Sequence, residues 1–316
     1  MSPSDGKITR VAFQGEPGAF SEAAAIQLLG DRITTVPCPT FDAAFRAIGE
    51  GTADALLVPV ENSLAGSVVR VYDLLLESAL GIVAETILPI EHHVIGCPGS
   101  SLDDIRSVAS HPMALAQCEK FFLAHPNLKR VPAEDTAGSV RDVLYRGDIS
   151  AAGIAGRRAA THYGGVILAE SIQDNPENFT RFVLLVSVTR DDSGESADSP
   201  RFASPTVREL MTELRVRKME QFESGSLLKM SVALRLAHKP GALLAALEPF
   251  ARHSINLMKI ESRPIHGTPW VYQFFLDLLA ETPAQLQASL EEVRRATNFL
   301  RILGLYPVAK QDSLQK

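Results

Sequence analysis

The residues best suited to chemistry stand at five places, each where an apolar run gives way to small polar residues. The densest is Asn178-Phe179-Thr180-Arg181-Phe182. A loop of acid and amide, Gln173-Asp174-Asn175-Pro176-Glu177-Asn178, delivers a hydroxyl and a guanidinium to the mouth of the apolar run 182–186. A guanidinium is a rigid fork of donors that fits a carboxylate. Thr180 and Arg181 therefore point to an anionic ligand. The plain alternative is a strand-opening Thr and an Arg paired with a nearby acid.

Four other junctions share this build. After Val11-Ala12-Phe13 comes Gln14-Gly15-Glu16-Pro17-Gly18-Ala19-Phe20-Ser21, then an Ala-rich stretch. The glycines permit a sharp turn, Ser21 suits a helix N-cap, and free amides at a helix start can receive an anion. The spacing is neither the dinucleotide fingerprint nor a phosphate loop closing on Gly-Lys-Ser/Thr. After the apolar run 55–60 come Glu61, Asn62 and Ser63, of which capping accounts for one more easily than for three; a helix with Val68, Val69, Tyr72, Leu75 and Leu76 is expected next. After Ser107-Val108-Ala109 come Ser110-His111-Pro112, with Pro112 fit for the first helical position and Gln117 one turn beyond Met113. After Val131-Pro132-Ala133 come Glu134, Asp135 and Thr136, and either of the last two could cap a helix. In open α/β sheets ligands bind where strand ends meet helix starts. These donors sum to a cleft for a small anion, closed by Thr180 and Arg181.

Metal chemistry is not expected. His92 and His93 are adjacent and would leave a strand on opposite faces, and no other His or Cys has ligand spacing. Cys38, Cys97 and Cys118 are far apart, without a C-x-x-C pair, and read as buried small hydrophobes. A net charge of −6 with sparse aromatics excludes a broad nucleic-acid face. The start of the chain lacks a signal-peptide apolar region, and no apolar run approaches a membrane span. The expectation is a cytoplasmic protein with neither nucleic-acid nor membrane partner.

The elements that must position these residues fall into two patterns, as 316 residues allow. The first 190 residues alternate apolar runs with helix-compatible segments, which predicts an α/β sheet. Residues 190–204 are polar, acidic and small, as in a linker, and 205–223 could form a helix with Leu210, Leu214 and Phe222 on one face. A new pattern starts near Leu228. It predicts a strand over 232–236, a helix opening at Pro240-Gly241-Ala242-Leu243 and running to Arg252, strands over 255–260 and 270–278 around a turn with Pro264 and Gly267, a helix over 283–296 and a strand over 300–305. The order βαββαβ implies a ferredoxin-like domain. It has no acid–base set, so a regulatory or structural role is expected, and its sheet edges would favour pairing with a second copy.

Taken together and in this order, these segments resemble prephenate dehydratase, an enzyme of phenylalanine synthesis. Gly15-x-x-Gly18-Ala19-Phe20-Ser21 looks like the family's first motif, and Pro59-Val60-Glu61-Asn62-Ser63 like its second. Ser110-His111-Pro112 with Gln117-Cys118, Asp135-Thr136-Ala137 and Thr180-Arg181-Phe182 are similar to the next three. Gly241-Ala242-Leu243 and Ile260-Glu261-Ser262-Arg263-Pro264 resemble the two signatures of an ACT domain that senses phenylalanine. The resemblance implies a two-lobed, periplasmic-binding-protein-like α/β catalytic domain over 7–189, its lobes 7–86 plus 181–188 and 87–178. A linker over 190–227 and a ferredoxin-like ACT domain over 228–310 would follow. It implies loss of carbon dioxide and hydroxide from prephenate to give phenylpyruvate, with no cofactor, and phenylalanine as an allosteric inhibitor bound between paired ACT domains of a homodimer or homotetramer. By similarity, Thr180, Glu61, Asn62, Ser110 and Gln117 would be catalytic. Arg181, Ser21, Ser63, His111, Thr136 and Phe182 would bind substrate. Gly241, Ala242, Leu243, Asn256, Leu257, Glu261 and Ser262 would bind the effector. The chain departs from the family in having Met113 where Gln is usual, Lys229-Met230-Ser231 for Lys-Thr-Ser, and a longer acidic linker. Residues 67–74 are also close to plant arogenate dehydratases, whose substrate carries an amine in place of the keto group. A reading from another class is a two-lobed anion sensor without chemistry; it explains a cleft but not acid, amide, Gln and Thr-Arg gathered around one dianion.

Overall fold

The computed structural model describes residues 9–189, 201–202, 227–265, 268 and 271–309. The chain divides into two units. One takes the residues up to Ser78 together with Thr86–Val183, and the other takes Ala79–Glu85 with Leu184–Lys310.

The first unit holds two sheets. In one, β1 (Thr9–Gln14) lies between β2 (Ile33–Cys38) and β3 (Ala55–Asn62), parallel to both. Parallel neighbours need a crossover; α1 (Phe20–Leu29) links β1 to β2, and α2 (Phe41–Gly49) links β2 to β3. Val11, Ala12, Phe13, Leu56 and Leu57 are wholly buried, which is why these strands read as continuous apolar runs. β3 does not pass straight into a helix, as its sequence suggested. It turns back as a hairpin into β4 (Gly66–Ser67), with Gly66 at a positive φ of 81°, and only then does α3 (Val69–Glu77) begin. The chain then runs through β5 (Leu80–Pro89) into the other sheet.

That sheet is built from β6 (His93–Gly96), β7 (Ser107–Ser110), β8 (Lys129–Pro132), β9 (Ala151–Ala155) and β10 (Val166–Ala169), in the order β10-β6-β9-β7-β8. β7 is parallel to β8 and β9, while β6 is antiparallel to β9 and β10. Its helices are α4 (Pro112–Ala116), α5 (Glu119–Ala124), α6 (Thr136–Arg146) and α7 (Arg157–Tyr163). The single helix expected after Pro112 is thus two short ones. The Asp174 carboxylate explains the break, because it accepts from the amides of Glu119 (2.9 Å) and Lys120 (2.8 Å) and caps α5 from a distant loop. The chain returns beside β3 as β11 (Phe179–Thr189). The first unit therefore has two lobes, each with its own sheet.

In the second unit, Arg201–Phe202 form a short strand, β12, that pairs with β11 at Val188 and Thr189; of the expected linker, 190–200 and 203–226, with the helix expected over 205–223, lie outside the described residues. The expected βαββαβ order holds: β13 (Leu228–Arg235), α8 (Ala242–Arg252), β14 (Asn256–Pro264), β15 (Tyr272–Ala280), α9 (Pro283–Ala296) and β16 (Phe299–Pro307). The sheet runs β14-β15-β13-β16, antiparallel throughout. β13 and β16 are longer than their apolar cores predicted, and β15 starts at Tyr272; Gly267 and Trp270 lie outside the described residues. Met230, Val232, Leu234, Leu276 and Leu278 meet Phe250, Leu286 and Val293 of the two helices in one core. β16 also lies parallel to β5 at Gly304 and Ile82, where a Cβ on Gly304 would come within 2.2 Å of the Ile82 carbonyl oxygen. The buried Glu85 of β5 accepts from Lys229 Nζ at 2.7 and 2.9 Å and from the Ala309 amide at 2.9 Å.

Candidate active site

Asn62, Ser63, Thr180 and Gln117, four of the residues marked in the sequence, gather around the end of β3. Asn62 Oδ1 accepts from the amides of Leu64 (3.0 Å) and Ala65 (2.8 Å), which closes the hairpin turn. Its Nδ2 faces Asn178 Oδ1 (2.8 Å), the Phe179 carbonyl (3.1 Å) and Thr180 Oγ1 (2.9 Å). Ser63 fastens the same two strands: its amide donates to the Phe179 carbonyl (2.8 Å), and its Oγ accepts from the Phe179 amide (3.0 Å) and donates to the Glu177 carbonyl (2.9 Å). Thr180 is buried, at 7% exposure, and its hydroxyl oxygen is engaged by Asn62.

The cluster then crosses to the other lobe. Asn178, 1% exposed, donates from Nδ2 to Gln117 Oε1 at 3.1 Å, and its carbonyl accepts from the Ile90 amide at 2.7 Å. Gln117, at the end of α4, meets His92 Nε2 with the same Oε1 at 3.0 Å. His92 is buried with its ring edge-on to Phe20, 5.6 Å between centroids. Burial pushes the His92 imidazolium pKa down, with the nearby His93 adding to this against the Gln117 hydrogen bond, so the ring is neutral. As expected of neighbours, the two histidines part: His93 Nδ1 accepts from the Ser171 amide at 3.1 Å. Asn62, Gln117 and Thr180, widely spaced in the chain, thus belong to one hydrogen-bonded set.

The other marked residues stand differently. Thr180 and Arg181 both lie inside β11, and consecutive strand residues leave on opposite sides. Thr180 meets Asn62, whereas Arg181 Nη2 meets Glu61 Oε2 at 3.4 Å, longer than a strong charge-assisted bond. Thr180 and Arg181 thus each meet one of two neighbouring residues of β3, Asn62 and Glu61. Ser110, wholly buried, donates to the Ile154 carbonyl at 2.7 Å. Ser21 lies within α1, which begins after Ala19, so it is not the N-cap. His111 is the exposed N-cap of α4, accepting from the Met113 amide at 3.2 Å, and Asp135 caps α6 just ahead of Thr136. Phe182 is core, 2% exposed.

The sequence did not single out Glu22 and Arg158. The buried Glu22 carboxylate accepts from Thr35 Oγ1 (2.8 Å), the Gly18 amide (2.8 Å) and Arg158 Nε (2.6 Å), which joins α1 to α7 across the lobes. Burial raises the Glu22 pKa, but the hydrogen bonds from Arg158, Gly18 and Thr35 and the Arg158 charge outweigh it and hold the carboxyl below its usual range. Beside it Gly18, at a positive φ of 87°, lies so close to α7 that a Cβ would come within 2.8 Å of Ala159 Cα. Among the described residues, no group of three or more His, Cys, Asp or Glu could hold a metal ion, and no helix is long and apolar enough to cross a membrane.

In the second unit, Ala242 and Leu243 line a cavity of about 160 Å³ together with Leu236, His238, Tyr272 and Phe274, and Gly241 stands just before them at the start of α8. Glu261 and Ser262 pair in register with Phe275 and Phe274, near that end of the sheet. Asn256 and Leu257 pair with Leu279 and Leu278 toward its far end, so within one copy the seven expected effector residues are not all at one place.

Comparison with known proteins decides the family. The prephenate dehydratase profile matches residues 11–189. The chloroplastic arogenate dehydratase/prephenate dehydratase 1 of Arabidopsis thaliana is 38% identical over 97% of this chain and 74% of its own length. The chain belongs to the prephenate dehydratase family. The fold agrees: a prephenate dehydratase from Arthrobacter aurescens, solved in complex with L-Phe, has a TM-score of 0.77 at 32% identity, covering 96% of this chain and 91% of that one. The solved structure of GqqA, described as a novel type of quorum quenching acylase, has a TM-score of 0.78 at 31% identity, covering 96% of this chain and 98% of that one. Family membership makes the chain a dehydratase-type enzyme, and the Asn62 cluster lies inside the matched segment of the prephenate dehydratase family profile.

Proposed function

We propose that the chain converts prephenate to phenylpyruvate and that phenylalanine regulates it through the βαββαβ domain. The cluster of Asn62, Thr180, Asn178 and Gln117 carries this reading. Prephenate is a dianion whose ring carboxylate lies para to a hydroxyl. As the C–CO₂ bond breaks, its electrons move through the ring, the ring becomes aromatic, and the hydroxyl leaves as hydroxide, stabilised by a hydrogen bond and protonated to water by solvent. The reaction demands donors rather than a nucleophile: one on the leaving oxygen, others on the carboxylates. Thr180, its oxygen held by Asn62, donates to the leaving oxygen, and the Gln117 amide holds a carboxylate. Arg181 brings positive charge, steadied by Glu61. Rate then comes from orientation and preorganised donors. Ser63 and Ser110 serve by fixing backbone, and Glu22 with Arg158 sets the approach of the lobes.

Arogenate has the same ring and leaving group, and relatives named for it make it the second reading. The acylase activity described for one similar protein, GqqA, gains less support. Amide hydrolysis asks for an activated nucleophile, whereas the Ser63 and Ser110 hydroxyls both donate to backbone carbonyls.

The C-terminal domain reads as an ACT domain, with phenylalanine entering the cavity beside Gly241, Ala242 and Leu243. The L-Phe complex of the Arthrobacter aurescens protein supports this. Asn256 and Leu257, distant in one copy, would join the site from a second. The test is to incubate the protein with prephenate and with arogenate, following phenylpyruvate in alkali and phenylalanine, with and without added phenylalanine. Phenylpyruvate formed faster than phenylalanine, and slowed by the effector, is the expected result. Turnover of arogenate alone would replace the substrate, and turnover indifferent to phenylalanine would remove the regulatory reading.

A further inference from the structure

We propose that Asn178 is a positioning residue that relays the direction set by the backbone around Asn62 to Gln117 and, through it, to His92, so that Gln117 faces the ligand as a donor beside Thr180. The inference rests on the dehydratase reading for its kinetic consequence, but not for its geometry.

The direction can be deduced from backbone alone. Two amide N–H groups, of Leu64 and Ala65, point at one side-chain atom of Asn62, which must be the oxygen. Its nitrogen then faces the Phe179 carbonyl, an obligatory acceptor, which agrees. The Asn178 atom 2.8 Å from that nitrogen must be oxygen, so Asn178 shows its NH₂ to Gln117. The Gln117 atom receiving it must be Oε1, and so His92, on the same oxygen, must carry its proton on Nε2. His92 Nδ1 is then a bare acceptor, and it is buried without a partner. A buried orphan is uncommon; here it follows from a tautomer imposed by its neighbours. The ring's neutrality, due chiefly to burial, leaves it one N–H to give.

At the two ends of this chain of bonds lie donors. The Gln117 oxygen holds two partners, which leaves its half-buried NH₂ to face outward. The Thr180 oxygen accepts from Asn62, which leaves its O–H to donate. Both suit an anion or a departing hydroxyl. Without Asn178 between them, the Gln117 amide could turn over and offer its oxygen instead.

Asn178→Asp tests this with little change of shape. The ionised carboxylate still accepts from Asn62 but cannot donate to Gln117, whose amide must reverse. Losing one oriented donor should lower kcat/KM about 10²–10³-fold, mainly through kcat. As pH falls and the introduced carboxyl protonates, it donates again, and activity should recover toward wild type. Ionisable groups on the elements packed here include Glu61 and Arg181 on the strands, Asp174, Glu177 and Lys120 by the loop, and His92 beyond Gln117. Wild type carries all of them, so it is the control for the added inflection. The second measurement is ¹⁵N NMR of histidine in the unmodified protein: His92 should be the Nε2–H tautomer, changing to Nδ1–H in Asn178→Asp. An Nδ1–H tautomer in wild type would overturn the inference whether or not the variant folds. So would an active wild type whose variant matches it at every pH. An inactive wild type with the expected tautomer would instead remove the dehydratase reading.

Discussion

Replacing Glu22 should separate the worth of its charge from the worth of its hydrogen bonds. Glu22 is 3% exposed and accepts three hydrogen bonds on two oxygens: from Thr35 on one, and from Gly18 and Arg158 on the other. Glu22→Ala leaves the Arg158 guanidinium and the Gly18 amide without their acceptor. Breaking one side of a buried pair typically costs about 3–5 kcal/mol, and Arg158, itself partly open to solvent at 35%, brings the expectation to the lower end. Glu22→Gln keeps the shape. Its oxygen can serve Gly18 and Arg158 while its NH₂ donates to a rotated Thr35 hydroxyl, so only the charge is lost, about 1–2 kcal/mol. Urea unfolding at constant m-value reads both. The pH dependence follows from the depressed Glu22 pKa. A carboxyl whose folded pKa lies below its unfolded value of about 4.3 adds stability that is complete above that value and is lost as pH falls through the folded one. The gap between wild type and Glu22→Gln should therefore be full at neutral pH and close in strong acid. An equal gap at both, or a Glu22→Ala cost under about 1 kcal/mol, would refute the reasoning.

Lys229→Met should destabilise the second unit by about 3–5 kcal/mol by taking from the buried Glu85 carboxyl its Nζ donor, and pairing it with Glu85→Gln should recover much of that in a double-mutant cycle. Gly18→Ala should lower activity, because its Cβ would push α7 away at Ala159; steady-state kinetics beside a thermal melt checks it. Burial raises the pKa of Cys38 and Cys97 and pushes Cys118 up to about 12, so a thiol reagent at mildly alkaline pH should label none in the native protein and all three in urea.

Much of this was legible in the sequence because it is local. Apolar runs ending in Gly, Asn, Ser or Pro marked the strand ends, and Pro112 with His111 and Pro283 with Thr282 marked helix starts. The βαββαβ order could be read from alternating periods. What was not legible depends on partners far away in the chain. The break between α4 and α5 is imposed by Asp174, more than fifty residues on. The inclusion of Thr180 in β11 depends on pairing with the hairpin at Asn62–Ser63. Glu22 sits in an Ala-rich helix and looks like a surface charge until Arg158 and Thr35 are brought to it. His92 was weighed only as a metal ligand, since nothing local shows that Gln117 will meet it. Asn178 resembled any other amide of a polar loop, and its burial at 1% is a tertiary fact.

The most direct test of the central claim is the steady-state rate of Thr180→Val with prephenate. Valine keeps the branched shape and removes the hydroxyl that Asn62 holds at 2.9 Å. A fall in kcat of about 10²–10³-fold with KM little changed, and a Thr180→Ser variant that retains most turnover, is the predicted result. A Thr180→Val enzyme that turns over prephenate like wild type would contradict it.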